Sequence, residues 1–218
     1  MNGPGGPRIG IPDPGCHEEK ALSQSSSQRK IFAAAGLVAV VAAGATLLWL
    51  EQRGIPKRFG VVEEGRLYRC GDIVPSELEH VTRTYGLRTV LSLLNPDVPE
   101  SIAERDAAQR LGLRWINVPL PGDGASTPEQ RTQIKAVLLD PRAAPILVHC
   151  AAGANRTGLA VGIYRLHQNG WTVERVLEEM RDYAFEDLPK HQNLRDALAA
   201  ERRAVRAAAP PATQLDRP

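Results

Sequence analysis

Cysteine is scarce in this chain: Cys16, Cys70 and Cys150 are the only three among 218 residues. They are too few and too scattered for a disulfide framework. There is no CxxC and no HExxH, so no metal site is expected, and no cofactor. A dominant charge of one sign is also missing. Lys and Arg number 27 against 25 Asp and Glu, a formal net charge of +2, and the two signs are interspersed. No basic block of the kind that tracks a phosphate backbone is present, which excludes a nucleic-acid partner. Apolar residues are not lacking. A hydrophobic share of 43% with 24% charged suits a packed core and argues against wholesale disorder.

The chain changes character twice. Residues 1–30 are rich in Gly, Pro, Ser and Gln and bury too little to order themselves, so they are expected as a flexible tail. Residues 31–50, IFAAAGLVAVVAAGATLLWL, carry no charge. Twenty helical residues span roughly 30 Å, about the thickness of a bilayer's hydrocarbon core. Arg29 and Lys30 flank one end, Glu51 to Arg53 the other, and Trp49 suits an interfacial position. A core helix would show a polar stripe, and a signal peptide a shorter apolar region with a shorter leader. The expectation is a single transmembrane helix and hence a single-pass membrane protein, with the lipid bilayer as a partner through residues 31–50. Arg53, Lys57, Arg58, Arg66 and Arg69 follow the span, against Lys20, Arg29 and Lys30 before it. That bias places the C-terminal domain in the cytoplasm.

Residues 57–208 alternate between strand and helix patterns. RTVLSLL (88–94), LRWINVPL (113–120) and PILVHC (145–150) read as strands. Helical spacing runs over 75–85, 99–111, 127–139, 156–168, 172–183 and about 191–208, with Ser76 and Thr127 as candidate caps. The fold class is therefore α/β, a central and mostly parallel sheet flanked by helices. Residues 209–218 are expected to fray.

The chemistry concentrates in Pro145 to Gly158, PILVHCAAGANRTG. A strand ends at His149, a loop of small residues follows, and a helix begins near Asn155. Successive N–H groups from Ala151, Ala152, Gly153, Ala154, Asn155 and Arg156 can converge on one anion at the positive end of the helix dipole. A thiol at Cys150 is stabilised there as a thiolate nucleophile. Arg156, six residues on, can grip two phosphoryl oxygens bidentately. Thr157 can offer its hydroxyl to the sulfur. His149 suits tuning or ordering of the loop better than a role as base.

Attack on phosphorus leaves an alkoxide or phenoxide to be protonated. Asp123, flanked by Gly122 and Gly124 in a loop free to close, is the first candidate for that acid. Glu129 is the reserve and Asp97 a distant third.

HCAAGANRTG resembles the H-C-x5-R-[ST] loop of the protein tyrosine phosphatase superfamily, in the spacing of its compact dual-specificity branch. Phe59 to Gly71, FGVVEEGRLYRCG, is similar to the opening strand of its small bacterial and fungal-type members. Arg156 to Gly158, Tyr164-Arg165, Gly170-Trp171 and Glu178 to Met180 resemble the helices after their loop. The likeness covers about residues 57–200. It implies a phosphatase acting on phosphotyrosine, phosphoserine or phosphothreonine through a phosphocysteine at Cys150, with a phosphorylated protein or small phosphomonoester as substrate. There are departures. Cys70 stands where serine is frequent and Asp72 where glutamine is. The loop has Ala151, Ala152 and Ala154 where phosphoinositide and inositol-phosphate branches carry lysines, which argues against highly phosphorylated inositols. An inactive membrane-tethered phosphate-binding module, a phosphoinositide phosphatase and a sulfur-transfer or arsenate-reducing enzyme are the competing readings. Cys70, ending a strand of the same sheet, is also a candidate disulfide partner for Cys150.

Overall fold

The computed structural model describes residues 30–32, 36–38, 40–44 and 54–208. The chain divides into two units, Met1–Gln52 and Arg53–Pro218. The tails expected at 1–30 and 209–218 lie outside the described residues, apart from Lys30.

The membrane anchor is not found. Among the described residues no helix is long and apolar enough to cross a membrane, which overturns the expected span and the single-pass localisation built on it. Within this segment the described residues 30–32, 36–38 and 40–44 are helical, and 45–50 lie outside the described residues. Ala and Gly occupy nine of the twenty positions from 31 to 50, and they add little apolar surface.

The second unit holds a five-stranded sheet in the order β1-β2-β5-β3-β4. The strands are β1 (Gly60–Glu63), β2 (Leu67–Cys70), β3 (Thr89–Ser92), β4 (Arg114–Asn117) and β5 (Ile146–His149). The first two form an antiparallel hairpin; β2, β5, β3 and β4 run parallel. The expected sheet is thus mixed, with only the edge strand β1 reversed. The helices are α1 (Pro75–Tyr85), α2 (Pro99–Arg110), α3 (Pro128–Leu139), α4 (Asn155–Gln168), α5 (Val173–Asp182) and α6 (Gln192–Ala208).

Strand alternation sorts the core into two layers. Tyr68, Val90 and Leu147 pack with Leu78 and Val81 of α1 and Ala107 and Ala108 of α2. Leu67, Leu91, Ile146 and Val148 face the other way, onto Ile134 of α3, Leu159 and Ile163 of α4, Val176 of α5 and Leu194 of α6. All four residues of β3 and of β5 are buried, as central parallel strands require. One cap differs from expectation: α1 begins at Pro75 after Val74, so Ser76 lies inside its first turn. Thr127 does cap α3, its Oγ1 accepting from Gln130 N (3.2 Å) while Gln130 Oε1 accepts from Thr127 N (2.8 Å).

Candidate active site

The carboxyl ends of β2, β3 and β5 converge where β5 passes into α4, the place at which an open α/β sheet binds its ligand. Cys150 follows β5 and is 1% exposed. The N–H of Gly153 donates to Cys150 Sγ at 3.3 Å. Gly153 has φ of +73°, and a Cβ there would come within 2.8 Å of Gly71 N and 3.0 Å of Cys70 O. Both the dihedral and the close approach of backbone therefore demand glycine. Ala151 O accepts from Asp72 N (2.9 Å), so the turn after β2 also braces the loop.

Arg156 lies in the first turn of α4. Its Nη1 donates to Leu93 O and Leu120 O, each at 3.4 Å, the loops that follow β3 and β4. Arg156 and Cys150 line the same cavity. Thr157 is buried and its hydroxyl donates to Cys70 O at 3.4 Å, a backbone oxygen where the sulfur was expected.

His149 points to the opposite layer. Its Nε2 is 2.9 Å from Glu104 Oε1, and Trp115 Nε1 donates to the same oxygen at 2.8 Å. Both His149 and Glu104 are buried, so the pair fixes the end of β5 from behind rather than reaching the cavity. Cys70 pairs with His149 in the parallel register and its side chain joins the same layer, whereas Cys150 joins the other. The two thiols are free. Burial, then the nearby Glu104 and Cys150 charges, push the Cys70 thiol well up, so it stays protonated.

The acid candidates are dispersed. Asp123 is exposed, with Oδ1 accepting from Ala125 N (3.0 Å) in an Asx turn, while its carbonyl accepts from Asn193 Nδ2 (3.4 Å). Gly122 beside it lines the cavity. Glu129 is exposed at the start of α3 and Asp97 is exposed in the turn before α2.

Several residues escaped the sequence reading. Arg69, on β2, is fully buried; its Nη2 donates to Gly153 O at 2.7 Å and its guanidinium lies 3.6 Å from the centre of the Tyr183 ring. Burial pulls its pKa down to about 10, which still leaves it charged at neutral pH behind the loop. The cavity, about 260 Å³, is further lined by Arg58, Glu186, Lys190 and His191, from the segments before β1 and before α6. Arg58 Nη1 donates to Ala152 O at 2.6 Å. No local motif marks these residues; only the Arg58 and Lys190 charges were visible, far apart in sequence.

Comparison with known proteins bears on the family and the fold. The profile of the tyrosine phosphatase family matches residues 55–196. The chain is 33% identical over 131 residues to inositol diphosphatase DSP3 of Arabidopsis thaliana, covering 59% of this chain and 63% of that protein. It is 30% identical over 113 residues to the dual specificity protein phosphatase TpbA of Pseudomonas aeruginosa, covering 52% and 48% respectively. The chain therefore spans about half to two thirds of the length of these curated relatives. Among solved structures, the core catalytic domain of the PP-IP phosphatase Siw14 from S. cerevisiae, in complex with citrate, matches with a TM-score of 0.56 and 25% identity over 64% of this chain and 85% of that one. TpbA in complex with phosphotyrosine shares the fold, at a TM-score of 0.52 and 23% identity, over 66% and 87%.

Proposed function

Because the chain belongs to the tyrosine phosphatase family, we propose that it is a cysteine-dependent phosphatase that hydrolyses phosphomonoesters, phosphotyrosine and also phosphoserine or phosphothreonine, through a phosphocysteine. The observation that carries this reading is one wall of one cavity. Cys150, its Sγ held by the Gly153 N–H, shares that wall with Arg156 at the N-terminus of α4.

In the first step Cys150 Sγ attacks phosphorus, and the P–O bond to the leaving group breaks. Asp123 gives its proton to the departing oxygen. Arg156 binds two of the equatorial oxygens and follows their charge into the transition state. In the second step Asp123, now a carboxylate, takes a proton from water as that water attacks phosphorus, and the S–P bond breaks to return the thiolate and inorganic phosphate. Asp123 reaches the cavity by a swing of its loop about Gly122, which already lines the wall. Thr157 assists departure of the sulfur once its hydroxyl rotates off Cys70 O. His149 acts as a positioning residue through Glu104.

Turnover of p-nitrophenyl phosphate by the full chain tests the assignment. Cys150→Ser is expected to abolish it while leaving the circular dichroism spectrum unchanged. Activity retained in that variant sinks the reading.

A further inference from the structure

Stability alone does not account for Arg69. Its side chain is fully buried, and among the described residues its Nε and Nη1 have no hydrogen-bond partner. No carboxylate among the described residues stands at ion-pair distance from it. Glu179, whose charge acts on it, is engaged by Arg165 at 2.6 Å. A buried guanidinium without an anion is costly, and an apolar side chain of similar size would serve the core as well.

What the guanidinium does reach is the backbone of the phosphate loop, where Nη2 donates to Gly153 O at 2.7 Å. A planar trans peptide sets its N–H opposite its C=O. Holding Gly153 O behind the loop therefore turns the Ala154 N–H the other way, and Ala154 lines the cavity while Arg69 does not. The preceding peptide obeys the same rule. Arg58 Nη1 holds Ala152 O at 2.6 Å, and the Gly153 N–H on the other side of that peptide reaches Cys150 Sγ at 3.3 Å.

The hairpin makes room for this arrangement. Gly60 of β1 pairs with Arg69 across the ladder, and a Cβ there would clash with the Tyr183 hydroxyl. Glycine lets Tyr183, at the end of α5, lay its ring 3.6 Å from the guanidinium. The ring face attracts the cation but offers no lone pair in the plane of its N–H groups. It covers Arg69 without drawing Nη2 off Gly153 O, as a carboxylate would.

We propose that Arg69 is a positioning residue for phosphoryl transfer: from behind the loop it holds the Gly153 carbonyl, so that the Ala154 N–H is set towards the phosphoryl oxygens before charge develops on them. The role rests on the phosphatase reading of Cys150 and Arg156. It places a locally unfavourable cation where the reaction gains from it.

Steady-state turnover of p-nitrophenyl phosphate by the full chain, beside thermal melts of each variant, tests the role. Arg69→Met is expected to lower kcat about 100-fold and to change KM by under about threefold, the pattern of a lost oxyanion donor. Its melting temperature is expected within about 4 °C of the parent chain, because removing an unpaired buried cation offsets the lost hydrogen bond. Arg69→Lys keeps a cation and a donor behind the loop and is expected to recover at least about tenfold of the lost kcat. Where Arg69→Met is too unstable to purify, Arg69→Gln, neutral and shorter, takes its place against the lysine variant. Arg66, at the other end of β2, is the matched control: its Nε donates to Tyr164 Oη at 2.7 Å and its Nη2 to Leu139 O at 3.4 Å. Arg66→Met is expected to keep kcat. Unchanged kcat in Arg69→Met, a loss carried by KM alone, equal kcat in the lysine and neutral variants, or an equal loss in Arg66→Met overturns the positioning role. Turnover that survives Cys150→Ser sinks the parent reading instead, and it is seen without any Arg69 variant.

Discussion

The loop from Cys150 to Asn155 and the loop from Pro121 to Ser126 border the same cavity, yet they are held very differently. The first is fixed from three sides: Gly153 O by Arg69, Ala151 O by Asp72 N, and Ala152 O by Arg58. Its floor, at Cys150, Gly153 and Ala154, is buried. The second has an Asx turn, a Gly124 N–H on Pro121 O, one long bond from Asn193 and Arg131 on Ser126 O at its far end, while the Asp123 carboxylate stays exposed. An oxyanion site must be preorganised before charge develops, because dipoles that reorient during the reaction give back what they contribute. A proton donor on a gate must move. The contrast fits the roles proposed above for Cys150 and Asp123.

Substitutions in the fixed loop should therefore cost most. Arg156→Lys keeps the charge but loses the planar fork, and kcat/KM is expected to fall on the order of 100- to 1,000-fold. A loss under tenfold in steady-state assays breaks the view that bidentate binding dominates. Asp123→Asn should cost about 100-fold with an alkyl phosphate and far less with p-nitrophenyl phosphate, whose leaving group needs little protonation. An equal loss on both substrates moves the acid to Glu186 or Glu129. Gly153→Ala strains φ and presses a methyl on Gly71, so a destabilisation of about 1–3 kcal/mol is expected in denaturant melts. Gly122→Ala, in the second loop and with open space around it, should change stability by under about 0.5 kcal/mol.

The smallest effect lies outside both loops. Burial works to raise the Glu201 carboxyl, but hydrogen bonds from His167 and Arg131 and the charge of Lys135 outweigh it and hold the group below its ordinary 4.5. Its stabilisation is complete above that value and is lost as pH falls through the lower folded one. Glu201→Gln should accordingly lower the melting temperature at pH 7 and shift it little in strongly acidic buffer. An equal loss at both pH values removes the ion cluster as the cause.

Much of this molecule was legible from residue order because the signals were local. The apolar run 146–149, the small residues after it and the periodicity beyond Asn155 mark strand, loop and helix without reference to anything distant. Thr127 with Gln130 marks a helix start in the same way. The hairpin partner β1 was merged with β2 because Gly65 separates them by only a tight turn. The segment 31–50 misled because hydropathy counts an uncharged alanine-rich run as apolar while its surface is small.

Residue order alone brought the proposed nucleophile Cys150 and Arg156 together, since C-x5-R at the head of one helix is fixed by that helix. It also determined the α/β class, since strand and helix periods are local. Only the tertiary structure decided which side of the sheet each end residue serves: His149 and Cys70 turn to Glu104 while Cys150 faces the cavity. Only it brought in Arg58, Arg69, Lys190 and His191. Arg58 and Arg69 lie more than eighty residues before the loop they contact, a separation that no local pattern encodes.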